Sequence, residues 1–432
     1  MLESIRKSTP TLLIVCLARV FYIEGLFSDK SMMHGDAIGH GYAVLSYHKQ
    51  VLQGDASIHW SNLIYGGHPV HAESQFAFLY PLNIVTAYLF EPDLGQNIYH
   101  WMCLILSGLG MLLFCRQMKI GNTGAAFAAI AVSFSSWWLT FQANITVSGA
   151  IAIIPWTLWV FEKWLDQPSK ILPLSITMCL AIFSGYPLIV HGAIIYFSIL
   201  LLFFLFTHAR QNFTSRLSGL ALYGIAAAFL TLGLAAIQLL PLFELTGLSH
   251  RSEGIAPMWA PFEWFFRGVF FSPATESGGL PIFLSMGSAL VALLASASIL
   301  TCMSSRLWAH VLACIFFFHM GAGTASPFFR LIYDSDFSLG LNYFRVFTPY
   351  FGFFIVSLGL LAGRAIDQLP ELNVATYRSK FVAFIFAVVW IAILASYHIT
   401  EAAVVHYVVI VLTIIALLLR RRQIIPGSFG VY

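Results

Sequence analysis

Long apolar runs dominate the sequence and limit the folds it can adopt. We count about twelve runs of roughly 20 mostly apolar residues, the length that an α-helix needs to cross a lipid bilayer. Hydrophobic residues make up 59% of the chain and charged residues 9%, whereas ordinary globular proteins carry about 25% charged residues. The sequence therefore predicts an all-α polytopic membrane protein, with residues 1–432 in a single integral membrane domain.

The distribution of basic residues predicts the orientation of this bundle. Lys and Arg are retained on the cytoplasmic side of membrane proteins, and a cytoplasmic N-terminus puts most of the 22 basic residues on that side. Both termini are therefore expected in the cytoplasm, and the net charge of +3 reflects this bias rather than a nucleic-acid partner. The predicted spans are 9–27, 97–115, 122–142, 147–162, 170–186, 188–207, 217–238, 281–302, 307–323, 344–363, 381–399 and 402–419.

Three predicted external segments, 28–96, 239–280 and 324–343, are too long to be simple turns. The first two are rich in aromatic residues, which favour the boundary between water and lipid. The first segment, hereafter the first loop, is expected to form two short interfacial helices at about 38–52 and 76–90, the second broken by Pro81.

Two carboxylates of the first loop are candidate catalytic residues. Asp36 follows the first apolar run, and Glu73 lies in a glycine- and histidine-rich stretch. A shielded carboxylate within hydrogen-bond reach of an acceptor hydroxyl can act as a general base. The alternatives are an N-cap for Asp36 and a solvated loop charge for Glu73; Asp55, in the turn signal Gly54-Asp55, is a weaker candidate.

The first loop also carries six histidines, of which His68 and His71 lie a few residues before Glu73. Imidazole and carboxylate groups can bind zinc or manganese, but the spacing matches no metal motif. We predict no metal ligand and expect hydrogen bonds to substrate, while leaving a divalent cation open as a cofactor. The six cysteines of the chain lack paired spacing, so neither a disulfide framework nor a zinc site is indicated.

Arginines outside the predicted spans are candidate phosphate ligands, because a guanidinium group matches phosphate oxygens. Arg345 lies at the mouth of a span and Arg251 in the second external segment. Arg345 could instead pair with Asp334 or Asp336, or extend to the membrane interface. Two further elements are expected to be broken helix ends: Ser184-Gly185-Tyr186-Pro187, and Gln238-Leu239-Leu240-Pro241 followed by Glu244. They would line one cavity together with the first loop. The alternative is that both are simple helix kinks.

These elements occur together in one order along the chain. The aspartate after the first span, Gly66-Gly67-His68-Pro69, Ser184-Gly185-Tyr186-Pro187, Gln238-Leu239-Leu240-Pro241 and Phe344-Arg345 resemble the bacterial YfhO-like membrane proteins, which are regarded as GT-C type glycosyltransferases. The chain has Tyr186 where the related element often has histidine.

The resemblance implies an inverting glycosyltransferase of the bacterial inner (plasma) membrane. It would transfer a sugar from a polyprenyl-phosphate donor to a cell-envelope acceptor on the external face, among membrane lipids. By the same resemblance, Asp36 is the base or an orienting group, Glu73 a second acid, and Arg345 or Arg251 a ligand of the donor phosphate, whereas His68, His71, Tyr186 and Glu244 are expected to contact substrate. The alternatives are a transporter or flippase of a lipid-linked sugar and a non-catalytic scaffold of an envelope synthesis complex.

Overall fold

The structure is a computed structural model that describes residues 10–12, 14–16, 37–63, 66–135, 144–208, 213–249, 254, 257, 304–335 and 339–368. Within these ranges the fold is helical, with one isolated antiparallel bridge between Ser61 and His68. The helices are α1 Ala43–Gln53, α2 Pro81–Leu89, α3 Pro92–Gln117, α4 Asn122–Ser133, α5 Ile145–Asp166, α6 Ile171–Phe183, α7 Pro187–His208, α8 Phe213–Gly247, α9 Ser305–Gly321, α10 Pro327–Tyr333 and α11 Phe351–Gln368.

Five helical segments in the described part of the chain are long and apolar enough to cross a membrane. They are Pro92–Gln117, Ile145–Asp166, Pro187–Thr207, Leu217–Gly247 and Thr348–Gln368. These helices agree with the predicted class of membrane protein, and they overlap the predicted spans 97–115, 147–162, 188–207, 217–238 and 344–363.

Three further predicted spans coincide with helices that are not among these five. Helix α4 has 12 residues where 122–142 was predicted, of which 136–142 lie outside the described residues. Helix α6 has 13 residues in place of 170–186, and α9 has 17, the length of the predicted span 307–323. The predicted spans 281–302, 381–399 and 402–419 lie outside the described residues, as does most of 9–27.

The first loop contains the two predicted short helices, with one difference. A π-helical turn at Ala37–Tyr42 leads into α1, which ends at Gly54 with φ +86°. The second helix, α2, begins at Pro81 rather than being broken there, because the first position of a helix needs no N–H donor. Ser74–Phe76, ahead of it, form a separate 3₁₀ turn.

Helices α4 and α11 approach until their backbones touch. A Cβ atom added to Gly363 would lie 2.6 Å from the carbonyl oxygen of Gly124, and one added to Gly359 would lie 2.5 Å from the Val132 side chain. Small residues allow this close packing between apolar helices, where hydrophobic burial gives little driving force in lipid.

The chain passes back and forth between two ends of the bundle. One end, called the loop end, contains residues 54–63 and 66–80, the corner at 184–187 and residues 339–350. The other, called the opposite end, contains residues 117–121 and 166–170 and the start of α9. At the opposite end the backbone N–H of Gly121 donates to Asp367 Oδ2 at 2.9 Å, which joins the end of α11 to the start of α4.

Candidate functional site

The corner between α6 and α7 holds the first loop against the bundle. Gly185 has φ +88°, a left-handed conformation that favours glycine. A Cβ atom there would collide with the carbonyl oxygen of Ser74 and lie 3.0 Å from the Cβ of Ala77. The predicted helix break at 184–187 is therefore confirmed, and its backbone lies directly on the turn that follows Glu73.

The first loop makes a second contact with the bundle in α8, close to Pro241. The predicted helix break at this proline is wrong, because α8 continues through it to Gly247. Proline has no N–H, so the carbonyl group of Ile237, four residues earlier, lacks its helical donor. His71 supplies that donor, with Nε2 lying 2.8 Å from the Ile237 oxygen.

A second hydrogen bond, from Gln238 of α8, also joins this helix to His71. Gln238, which is 2% exposed, donates from Nε2 to the backbone oxygen of His71 at 2.9 Å. Because Nε2 of His71 donates to a carbonyl group, its Nδ1 is left as an acceptor, and this buried atom has no hydrogen-bond partner among the described residues. A buried polar atom without a partner costs about 1–3 kcal/mol, so a substrate hydroxyl donating to Nδ1 would be stabilised there.

Glu73 combines a structural contact with an accessible carboxylate oxygen. Its Oε1 accepts from the backbone N–H of Gln75 at 3.3 Å and so caps the 3₁₀ turn. Its Oε2 lies 4.0 Å from Nε2 of His68, and the side chain is 34% exposed. Glu73 is therefore more than the solvated loop charge of the alternative interpretation.

Three further histidines of the first loop, His40, His48 and His68, lie against two phenylalanines. The rings of Phe76 and Phe78 are stacked with centroids 6.0 Å apart. His40 and His68 lie against Phe76, with centroids 6.2 and 6.1 Å from it, and His48 lies 4.0 Å from Phe78. These three imidazoles thus face phenylalanine rings, whereas His59 and His71 lie against each other with centroids 6.0 Å apart. The described residues contain no group of three His, Cys, Asp or Glu side chains placed to hold a metal ion.

The segment 339–350, which carries Arg345, is attached to the start of α7. His191, in the second turn of α7, lies 2.7 Å from the carbonyl oxygen of Leu339 through Nε2 and 2.5 Å from the Tyr350 hydroxyl through Nδ1. Its ring also lies 5.4 Å from that of Phe344, the neighbour of Arg345. Because Leu339 can only accept, Nε2 carries the hydrogen and Nδ1 accepts from Tyr350.

Arg345 is exposed, and no ion pair joins it to Asp334; Asp336, the other partner considered, lies outside the described residues. Tyr186 is half-buried against the core beside Gly185. Glu244 is exposed on α8, near the end of the helix.

The first loop and the 339–350 segment both rest on the start of α7, so the structure gathers Glu73, His68, His71, Tyr186 and Arg345 at the loop end. Asp36 and Arg251 lie outside the described residues, although Ala37, which follows Asp36, is fully buried.

The sequence places His191 and Gln238 in the two elements expected near the first loop, but it assigns neither of them a role in positioning the site. A signal for each is present, because a polar side chain within an apolar run is costly and usually has a specific partner. The sequence does not show that these partners lie in the first loop and in the 339–350 segment.

No family model matches the chain, and no curated protein matches it. The resemblance to the YfhO-like membrane proteins therefore stays a prediction, carried by the residues quoted for it.

Proposed function

We propose that this chain is a GT-C type membrane glycosyltransferase, with about twelve spans, that moves a sugar from a polyprenyl-phosphate donor to a cell-envelope acceptor. The observation that supports it best is the attachment of two loops to the start of α7. Gly185 lies against Ser74, and His191 binds Leu339 and Tyr350. A carboxylate, two imidazoles and an arginine are thereby brought to one end of an apolar bundle, where the phosphate of a membrane lipid is also found.

The proposed reaction is a single displacement. The acceptor hydroxyl oxygen forms a bond to the anomeric carbon of the sugar as the bond from that carbon to the phosphate oxygen breaks. The hydroxyl proton passes to a carboxylate, and polyprenyl phosphate leaves. In this scheme Asp36 is the base, and Glu73, whose geometry is fixed by the cap to Gln75, orients the acceptor together with His68 and the free Nδ1 of His71.

The donor phosphate requires a cationic ligand to stabilise charge on the leaving group. Arg345 suits this role because it is exposed at the loop end and makes no ion pair with Asp334. Its neighbour Phe344 is held by the contact with His191. Arg251, in the second external segment, is the other proposed phosphate ligand, and Tyr186 and Glu244 are proposed to contact the sugar or the acceptor.

The orientation of the site follows from the charge of the opposite end. Basic residues cluster at that end in the described part of the chain, and such residues favour the cytoplasm. The loop end would then face outward from a bacterial inner membrane, with both termini in the cytoplasm. The residues are Arg116, Lys119, Lys163, Lys170 and Arg306.

The phosphate assignment is tested by binding of a polyprenyl phosphate to the purified protein in lipid nanodiscs, measured by native mass spectrometry. We expect Arg345→Ala to lose most of the bound lipid. Arg330→Ala is the matched control, because that exposed arginine donates to the carbonyl oxygen of Thr324 at 2.6 Å. Equal binding by both variants would contradict the role of Arg345.

The catalytic assignment is tested in cells by the sugar content of envelope polymers at matched protein levels. Asp36→Asn and Glu73→Gln are each expected to reduce it, whereas Asp55→Asn, in the exposed turn after α1, should not. Unchanged sugar content in the first two variants would remove the proposed base and orienting group.

A transporter or flippase of the same lipid-linked sugar is the second candidate. It is favoured by one observation, the close approach of Glu162 and His310, whose Oε1 and Nε2 atoms lie 3.2 Å apart and whose side chains are 1% and 0% exposed inside the bundle. Buried ionisable residues of this kind are typical of transport pathways. Uptake of the lipid-linked sugar by proteoliposomes without sugar transfer would select this candidate.

A further inference from the structure

A row of polar side chains enters the bundle from the opposite end. Its outer members are Asp166 and Arg306, which form an ion pair at the surface, where Gln117 also donates to Asp166 at 3.0 Å. One helical turn further in, Glu162 lies 3.7 Å from Arg306 and 3.2 Å from His310. Charged side chains in the interior of an apolar bundle are costly unless each has a partner.

The row continues beyond His310 as a chain of hydrogen bonds. Nδ1 of His310 lies 2.8 Å from the Tyr196 hydroxyl, which lies 2.7 Å from the Ser357 hydroxyl. Ser357 donates to the backbone oxygen of Phe353 at 2.8 Å. Four helices of the bundle, α5, α7, α9 and α11, therefore share one polar chain.

The Phe353 carbonyl group, the last acceptor in this chain, determines which atom donates in each hydrogen bond. The Phe353 carbonyl group can only accept, so Ser357 donates its one proton there and must accept from Tyr196. The Tyr196 hydroxyl has then used its proton, so its oxygen accepts from His310. Nδ1 of His310 therefore carries a hydrogen, and Nε2 is the atom that faces Glu162.

The charges decide whether Nε2 also carries a hydrogen. Arg306 lies 3.7 Å from Oε2 of Glu162, so a positive charge already faces this carboxyl group. Nε2 of His310 lies 3.2 Å from Oε1 of Glu162, and neither Nε2 nor Oε2 of Glu162 has a hydrogen-bond partner among the described residues. A carboxylate can only accept, so Nε2 needs a hydrogen to pair with it. With His310 as imidazolium, the row alternates negative and positive charges, and they cancel among Asp166, Arg306, Glu162 and His310.

We propose that Glu162 and His310 form a proton-binding site inside the bundle, in which His310 holds the proton as an imidazolium ion. Arg306, which is 29% exposed, stands between the pair and the opposite end, so the proton exchanges with that side. The remaining described groups that face the pair carry no charge of their own. They are the Phe114 ring from α3 and Tyr196 from α7, which contact His310, and Ser357 from α11, which contacts Tyr196. The site is independent of the proposed glycosyltransferase function.

The test is ¹⁵N NMR of histidine-labelled protein in nanodiscs at neutral pH, which distinguishes imidazolium from imidazole. We expect a doubly protonated histidine signal that disappears in His310→Gln. In Glu162→Gln the same ring should become singly protonated, with its hydrogen on Nδ1.

His100→Gln is the matched control, because His100 is 1% exposed and neither of its ring nitrogens has a hydrogen-bond partner among the described residues. This variant should keep the doubly protonated signal. If His310→Gln does not fold, the signal is assigned in the unmodified protein through its proximity to the Phe114 ring, 5.3 Å between centroids. A neutral His310, or an imidazolium that persists in Glu162→Gln, would overturn the proposal.

Discussion

His48 is enclosed in the first loop with its ring against Phe78. Burial lowers the pKa of His48 from 6.5 to about 3, and a hydrogen bond with the Phe76 backbone opposes this shift. The folded protein therefore keeps His48 neutral, while the unfolded chain takes up a proton as the pH falls below 6.5. Stability is lost on acidification in this window, by about 2 kcal/mol at roughly pH 5.

We accordingly predict that His48→Leu reduces the loss of stability between neutral pH and about pH 5. The measurement is the thermal unfolding midpoint as a function of pH. His59→Leu, at an exposed position of the same loop, is the control. A variant that still loses as much stability on acidification as the unmodified protein would assign the effect to other groups.

His71 and Pro241 should be energetically coupled, because the imidazole replaces the donor that the proline lacks. His71→Phe is predicted to destabilise the protein by about 1–3 kcal/mol, the cost of a buried carbonyl group without a partner. In Pro241→Ala the restored N–H serves the Ile237 carbonyl group, so the cost of His71→Phe should fall by at least ~0.5 kcal/mol.

Thermal unfolding of the single and double variants measures this coupling. Gln238→Leu provides the control, since it removes a bond to the His71 backbone that does not depend on the proline. Equal costs of His71→Phe in both backgrounds would show that the two residues act separately.

Among the secondary-structure elements, the α6–α7 corner should determine how firmly the first loop is held. Gly185→Ala introduces both backbone strain and a collision with Ser74. We expect faster proteolysis of residues 54–80 in the native protein. Gly54→Ala is the matched control, because Gly54 has a similar φ of +86° and nothing within 4 Å of the added Cβ. If both variants are cleaved at the same rate, strain rather than contact explains the effect.

The secondary-structure elements also show which parts of the fold could be predicted from the sequence. Apolar length and turn residues predict the long helices, the interfacial helix α1 and the corner at Gly185. Pro241 was misinterpreted because its effect depends on a partner from another part of the chain: without His71 the helix would have an unsatisfied carbonyl group, and with it the helix continues. The Glu162–His310 pair was missed for a similar reason, since residues from two helices meet only in three dimensions.

At the scale of the whole molecule, the charge bias predicts which face of the membrane each end occupies. An epitope tag inserted between Asp55 and Ala56 should be accessible to antibody on intact spheroplasts. A tag between Pro168 and Ser169 should become accessible only after the membrane is permeabilised. The reverse pattern would invert the orientation and move the candidate site to the cytoplasmic side.

Gly124 and Gly363 fix the register of α4 against α11. Each carbonyl oxygen occupies the space that a Cβ atom of the other residue would need, so sliding by one position would force a side chain into a backbone. Among the described residues, α8 by contrast rests mainly on α6 and exposes Phe229, Leu240 and Phe243 along its flank. In the described part of the chain, α4 and α11 are thus held in one register by their backbones, whereas this flank of α8 remains open to other apolar groups.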